Sequence, residues 1–415
     1  MQYFTFLGMG KEGKYEDLKT FFRDEEAETV TPFVQEVVYK RHAPQINEVC
    51  IFLTPEAKKK TYPVFQEQFP DWKVRLIDIS NNCSFEEFMP LLIENIREEE
   101  IVVDVTHCFR SIPIRLLLAL TYAEQMKNVD ISHIYYGQML YENGEKQVVI
   151  EDIIEDYNVQ KVSVYLSEFN DTLTISSQNW EQVAERDKTI RNFLSALAEF
   201  NQMIELSEFD RSMNSVQNIV RLAREVERNP DKYVLLIPLV KKILSKLDRC
   251  TEGTIRQKKA QLIRMLLAHR KYQVAVTFTD QFFREELAGE LLFGDGKTPF
   301  SRFLKDHPYL NHHGDSFAYK FSQYLMFCQL NIRGKGNLPD TSNFERDYQR
   351  MIRDHAFSQT DVNRLADKVS DSPYRGAVAV FFDQFRNRLN HGQSIQNVEE
   401  LKNTIEQVLS LIESL

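Results

Sequence analysis

The feature that most limits what this chain can fold into is a change of period near residue 160. Before it, short apolar runs suited to strands alternate with longer segments suited to helices. Strand candidates are 2–7 (QYFTFL), 34–40 (VQEVVYK), 48–53 (EVCIFL), 73–79 (KVRLIDI), 101–105 (IVVDV) and 131–137 (ISHIYYG), with helices expected over 55–69, 84–98 and 111–127. Such alternation predicts an α/β layer built on a largely parallel sheet. Ser84 followed by Glu87 has the form of a capping box, and the polar turn ENGEKQ (142–147) predicts a β-hairpin over 135–152. After residue 160 glycine and proline become sparse. Apolar residues recur at spacings of three and four in 190–206, 213–228, 232–248, 256–287 and 376–390, and again in the terminal VEELKNTIEQVLSLIESL. The expected organisation is an α/β domain over 1–157 and an all-α domain over 158–415, with a loop-rich insertion around 289–345.

Several classes are disfavoured at once. The longest apolar stretches, LLLAL (116–120) and VLLIPLV (234–240), fall short of the ~18 residues that span a bilayer. The start MQYFTFLGMGKEGK has no basic region ahead of an apolar core, so no signal peptide is expected. Five cysteines (50, 83, 108, 250 and 328) are scattered without a CxxC pair, the pattern of free thiols in a reducing cytoplasm. The expected location is therefore cytoplasmic, with no membrane partner. A net charge of -10 argues against a long non-specific nucleic-acid track, so any action on RNA must be local.

Two short stretches carry chemistry. DVTHCFRSIP (104–113) follows the apolar run Ile101-Val102-Val103 and leads into a helix. Side chains just past a parallel strand face the crevice where ligands bind, and the helix N-terminus behind them favours an anion. Thr106 can donate to phosphate, and Arg110 can add a bidentate charge-assisted contact. The loop after the first strand, FLGMGKEGK, offers close backbone approach at Gly8, Gly10 and Gly13 and positive charge at Lys11 and Lys14. Two phosphate-suited strand ends imply a nucleotide-like ligand spanning both. GMGKEG also matches the dinucleotide fingerprint, but the polar continuation KYEDLKTFFRDEEAETVTPF lacks the expected packing residues, which leaves a nicotinamide-dependent dehydrogenase as a minor alternative. The plain structural alternative has Asp104 and Thr106 capping the helix, His107 satisfied in the core and Arg110 on the surface.

The second stretch is FFDQFRNRLNHG (381–392). A spacing of five on a continuous helix turns Arg386 and His391 apart by roughly 140°. The helix is therefore expected to end or distort near Asn390, with Gly392 as its stop. Histidine titrates where an acid/base for RNA cleavage must, arginine grips phosphate, and Asn387 can orient either. The same residues could equally cap a helix. Weaker candidates are NHHGDS (311–316) as a metal trio, His269-Arg270-Lys271 as cations at a helix C-terminus, and DRSMNS (210–215) as an RNA contact; the phenylalanine pairs at 21–22, 282–283 and 381–382 read as core.

With these residues in view, DVTHCFRSIP, FLGMG, IFLTPEAKKK (51–60) and IYYGQML with its ENGEK hairpin resemble the CARF domains of Csx/Csm-type CRISPR-associated proteins. FRNRLNHG resembles the R-N-x-x-x-H signature of HEPN ribonucleases. Together they resemble the CARF–HEPN ribonucleases of type III CRISPR systems. The resemblance implies a Rossmann-like N-terminal domain that dimerises and binds a cyclic oligoadenylate, with contacts from Gly8, Met9, Gly10, Lys11, Thr106, His107, Phe109 and Arg110. It departs from the family at Cys108, where glycine is usual, which leaves the ring open between four-membered, the first expectation, and six-membered. It further implies a helical domain that acts as a homodimer or a higher assembly of dimers. That domain would cut single-stranded RNA without metal or cofactor through Arg386, Asn387 and His391, leaving a cyclic phosphate and a 5′-hydroxyl. The alternative is a non-catalytic nucleotide-sensing module.

Overall fold

Strand β1 (Gln2–Leu7) is buried along its whole length, and its alternating side chains feed two cores. Phe4 and Phe6 point to one, Tyr3 and Leu7 to the other. A strand apolar on both faces needs layers on both sides. The computed structural model supplies them; it describes residues 1–9, 15–25, 27–107, 112–142, 144–176, 187–292, 303, 305–310, 317–330, 342–390, 392 and 394–415. Among these, two compact units form, residues 1–162 and residues 163–176 with 187–415.

The first unit contains a mixed sheet in the order β3-β2-β8-β7-β6-β1-β4-β5. The strands are β1, β2 (Leu18–Phe22), β3 (Thr29–Thr31), β4 (Glu48–Leu53), β5 (Val74–Asp78), β6 (Glu100–Asp104), β7 (Asp130–Glu142) and β8 (Glu145–Asp152). β7, β6, β1, β4 and β5 run parallel, and β8 returns antiparallel on β7 as the expected hairpin. Helices α1 (Val34–His42), α2 (Pro55–Lys60) and α3 (Tyr62–Gln68) contribute Val38, Ala57 and Phe65 to the core around Tyr3. Helices α4 (Phe85–Asn95) and α5 (Ile112–Lys127) contribute Phe88, Leu92, Leu116 and Leu120 to the core around Phe4.

Sequence reading and structure differ at three places along this unit. VQEVVYK is helix, not strand: Val34, Val37 and Val38 sit at i, i+3 and i+4 and are buried on one face, so the helical period outweighs the β-branched composition. β2 and β3 lie in the polar continuation KYEDLKTFFRDEEAETVTPF, where the sequence reading has no strand, and Asp24, Glu25 and Glu28 between them are exposed. The Ser84 cap forms, accepting from the Glu87 N–H at 3.2 Å, but the Glu87 carboxylate turns to Ser80 instead of closing a box.

His42, at the end of α1, is buried, with Nε2 2.8 Å from the Tyr135 hydroxyl. Burial, with His133 and Arg41 nearby, pushes its pKa down to about 4, while Asp152 works weakly the other way. Unfolding frees it to bind a proton below pH 6.5, so this contribution is complete above that value and is lost as pH falls toward 4. The loss amounts to about 3 kcal/mol. Hydrogen exchange of the sheet amides at pH 7 and pH 4 is expected to show that loss in the wild type and a smaller one in His42→Gln.

The described elements of the second unit are all helices. After α6 (Ile154–Thr172), whose N-terminal part belongs to the first unit, come α7 (Lys188–Glu205), α8 (Phe209–Glu227), α9 (Ile237–Leu247), α10 (Ile255–Ala268) and α11 (Tyr272–Leu292). Then follow α12 (Phe317–Tyr324), α13 (Ser342–Arg353), α14 (Gln359–Asp371), α15 (Arg375–Val380), α16 (Asn387–Asn390) and α17 (Val398–Ser414). The periodic stretch 256–287 is two helices parted at His269–Lys271, where the sequence reading places a helix C-terminus; Arg270 has φ 60° there and the His269 ring bonds back to the Met265 carbonyl. Leu401, Ile405, Val408, Leu409 and Ile412 form the buried stripe of α17. Arg264 of α10 binds Glu406 and Glu413 on that helix. The α/β-then-helical order matches the sequence reading. No described helix is long and apolar enough to cross a membrane.

Candidate functional site

The sheet order places the first site. After β1 the chain forms β2 and β3 at the far edge, enters β4 beside β1 and moves out to β5, then returns to β6 on the other side of β1 and continues to β7. The C-terminal ends of β1 and β6 are therefore adjacent where the winding reverses, the position at which open α/β sheets hold ligands. The two loops picked out from sequence meet there. A Cβ on Gly8 would stand 3.1 Å from the His107 carbonyl oxygen and 3.4 Å from the Tyr15 hydroxyl, so the absent side chain is what lets the loops approach.

Asp104 organises this end. It is fully buried, and among the described residues its carboxylate bonds Thr106, Thr5 and Tyr3. Oδ1 accepts from the Thr106 N–H at 2.9 Å and from the Thr106 hydroxyl, an Asx-type turn. Oδ2 accepts from the hydroxyls of Thr5 at 2.8 Å and Tyr3 at 3.4 Å. Thr106 Oγ1 in turn accepts from the Gly137 N–H at 2.8 Å. Its one hydrogen is directed at Asp104, so a phosphate would gain a bond from Thr106 only by displacing that contact. Gly137, missed as a site residue, is required here, because a Cβ on it would meet Thr106 Cγ2 at 2.9 Å. A glycine inside a strand was the available signal.

His107 stacks on Tyr15, ring centroids 4.5 Å apart. The residue is half-buried as a whole, but its Nε2 is enclosed and makes no hydrogen bond among the described residues. Burial lowers its pKa, and Asp104 only partly offsets that. A neutral imidazole whose enclosed nitrogen no described residue bonds has the capacity to hydrogen-bond a ligand. Met9, next to Gly8 in sequence, is exposed. Gly10, Lys11, Cys108, Phe109 and Arg110 lie outside the described residues.

In the helical unit, Phe381–Arg386 forms a π-helical turn between α15 and α16, a distortion frequent at functional sites. Arg386 is half-buried. Its Nε donates to Asp280 Oδ2 at 3.0 Å and its Nη1 to Asn387 Oδ1 at 3.3 Å. Burial opposes its charge, but Asp280, with a smaller contribution from Tyr319, outweighs burial and raises its pKa. Asp280 and Arg284, one turn apart on α11, went unnoticed in the sequence. Arg284 Nε donates to the other oxygen, Oδ1, at 2.6 Å. α16 ends at Asn390, and Gly392 adopts φ +68°, the left-handed stop expected of it. His391 lies outside the described residues, as do His312, His313 and Asp315. No group of three or more metal-ligating residues occurs among the described ones.

These features define an α/β unit whose two candidate loops meet at the switch point of the sheet, followed by a helical unit bearing an arginine–carboxylate–amide cluster. No protein-family model matches the chain. Over 141 residues, 32% of its length, it is 28% identical to the CRISPR-associated protein MJ1674 of Methanocaldococcus jannaschii. The match spans 22% of that protein.

Proposed function

We propose that the chain is a cyclic-oligoadenylate-activated endoribonuclease of type III CRISPR defence. The 1–157 region would be a CARF-like sensor and the 158–415 region a HEPN-like nuclease. The likeness to a CRISPR-associated protein supports the setting. The observation that carries the activity is Arg386: a half-buried guanidinium on a distorted helix turn, fixed by Asp280 and Asn387 five residues ahead of His391. In RNA cleavage the 2′-oxygen loses its proton and bonds to phosphorus while the bond from phosphorus to the 5′-oxygen breaks. Arg386 stabilises the charge gathering on the phosphoryl oxygens. His391 takes the 2′-hydroxyl proton as the bond to phosphorus forms and delivers it to the departing 5′-oxygen, leaving a cyclic phosphate and a 5′-hydroxyl, and Asn387 orients the arginine. This assignment asks nothing of a metal or cofactor.

Gly8, Met9, Gly10, Lys11, Thr106, His107, Phe109 and Arg110 would hold the ring, with the enclosed His107 Nε2 and the close Gly8 approach as support. Ile114, Leu118, Tyr122 and Met126 recur every four residues along α5 and are exposed. Such an apolar stripe supports a homodimer. Ring binding would then act by favouring an active arrangement of the helical units.

Mixing purified protein with labelled RNA and three-, four- or six-membered rings, with chelator present, tests the reading. Cleavage stimulated by one ring, the four-membered first, is expected. Binding of a ring without cleavage by any would establish the sensing module instead.

A further inference from the structure

Asp280 serves two arginines at once. Its Oδ1 takes the shorter bond, from Arg284 at 2.6 Å, and its Oδ2 the longer, from Arg386 at 3.0 Å. Arg284 is 6% exposed. Its guanidinium carbon lies 4.4 Å from the Tyr319 ring centroid and 5.1 Å from that of Phe382, and its enclosed Nη1 makes no hydrogen bond among the described residues. A buried guanidinium walled by aromatic rings cannot follow its partner outward, so Asp280 is anchored to Arg284 and reaches toward Arg386. A carboxylate on an arginine fork occupies the place a phosphate oxygen would take. Phosphate displacing it from Arg386 leaves Asp280 still paired with Arg284, so the exchange strands no charge in the interior.

We infer that Asp280 is a positioning residue that competes with the RNA phosphodiester for Arg386 and so sets the affinity of that site, with Arg284 holding it in place. The inference rests on Arg386 being the phosphate-gripping residue. It goes further by assigning the strength of substrate binding to a pair outside the R-N-x-x-x-H stretch.

The test measures binding of a fully 2′-O-methylated, hence uncleavable, single-stranded oligonucleotide to the full chain by fluorescence anisotropy. Asp280→Asn removes the competitor and is expected to tighten binding roughly tenfold. Asp280→Glu, which keeps the charge, is expected to restore affinity near wild type. Arg284→Gln turns Asp280 wholly to Arg386 and is expected to weaken binding. Opposite signs from two neighbours on one helix are not what loosened packing produces. If Asp280→Asn melts early, the double variant Asp280→Asn with Arg284→Gln removes both buried charges, and the gain should persist in it. Unchanged or weaker binding in both Asp280→Asn variants, while Arg386→Ala abolishes binding, overturns the inference and leaves the nuclease reading standing. Wild-type binding that Arg386→Ala does not alter overturns both.

Discussion

Arg386→Ala is expected to lower ring-stimulated RNA cleavage by about 10²- to 10³-fold, the usual effect of deleting a preorganised donor to transition-state charge. Ring binding should stay at its wild-type value. The structure makes this substitution interpretable. Asp280 keeps Arg284 as a partner at 2.6 Å, so no unpaired carboxylate is left behind, and Phe381, Phe382 and Phe385 of the same turn remain buried. A loss of activity therefore reports the missing guanidinium and not a collapsed helix. His391→Ala is the companion variant, expected to abolish cleavage with ring affinity likewise retained. Rates on a labelled single strand in chelator, alongside ring titration of the same preparations, check both. Retained cleavage in either variant, from protein free of contaminating nuclease, contradicts the assignment.

What sequence could and could not give follows from the range of each interaction. The order of an α/β front and a helical rear was legible because it is written in local period, alternating in QYFTFL and three-to-four spaced in the final helix. VQEVVYK misled because three valines carry a strong strand preference, and the register that makes α1 a helix is visible only at Val34, Val37 and Val38. Gly8 and the Thr106–His107 turn were each found from their own strand ends, but their contact depends on β6 lying beside β1, about a hundred residues away in the chain. Asp280 and Arg284 were invisible for a related reason. An Asp four residues before an Arg on a helix reads as a surface ion pair, and only packing against the Phe381–Arg386 turn joins it to Arg386. The pairings that matter most to the candidate sites thus lie beyond any local window, whereas the residues at their ends do not.

Asp104 decides between two accounts of the opening crevice, and the size of the expected effect separates them. Were Asp104 only a helix cap, Asp104→Ala would cost about 1 kcal/mol and be felt at the start of α5. The structure instead gives its carboxylate four donors: the Thr106 N–H, the Thr106 hydroxyl, the Thr5 hydroxyl and the Tyr3 hydroxyl. Tyr3, Thr5 and Asp104 are all fully buried, so water cannot easily replace the lost acceptor, and each stranded donor carries its own penalty of about 1–3 kcal/mol. Gln35, which donates to Thr5 Oγ1 and to the Phe6 carbonyl, loses its fixed partner as Thr5 turns. Asp104→Ala is therefore expected to destabilise the first unit by roughly 3 kcal/mol or more. Hydrogen exchange should show the loss at β1 and β6 amides, with amides of α10 and α17 keeping their protection. Thr106 loses its anchor in the same variant, so ring binding should fall with sheet stability. β1 and β6 amides as protected as in wild type, with loss confined to α5, would return Asp104 to the role of a cap and remove the structural basis for a crevice preformed between these two strands.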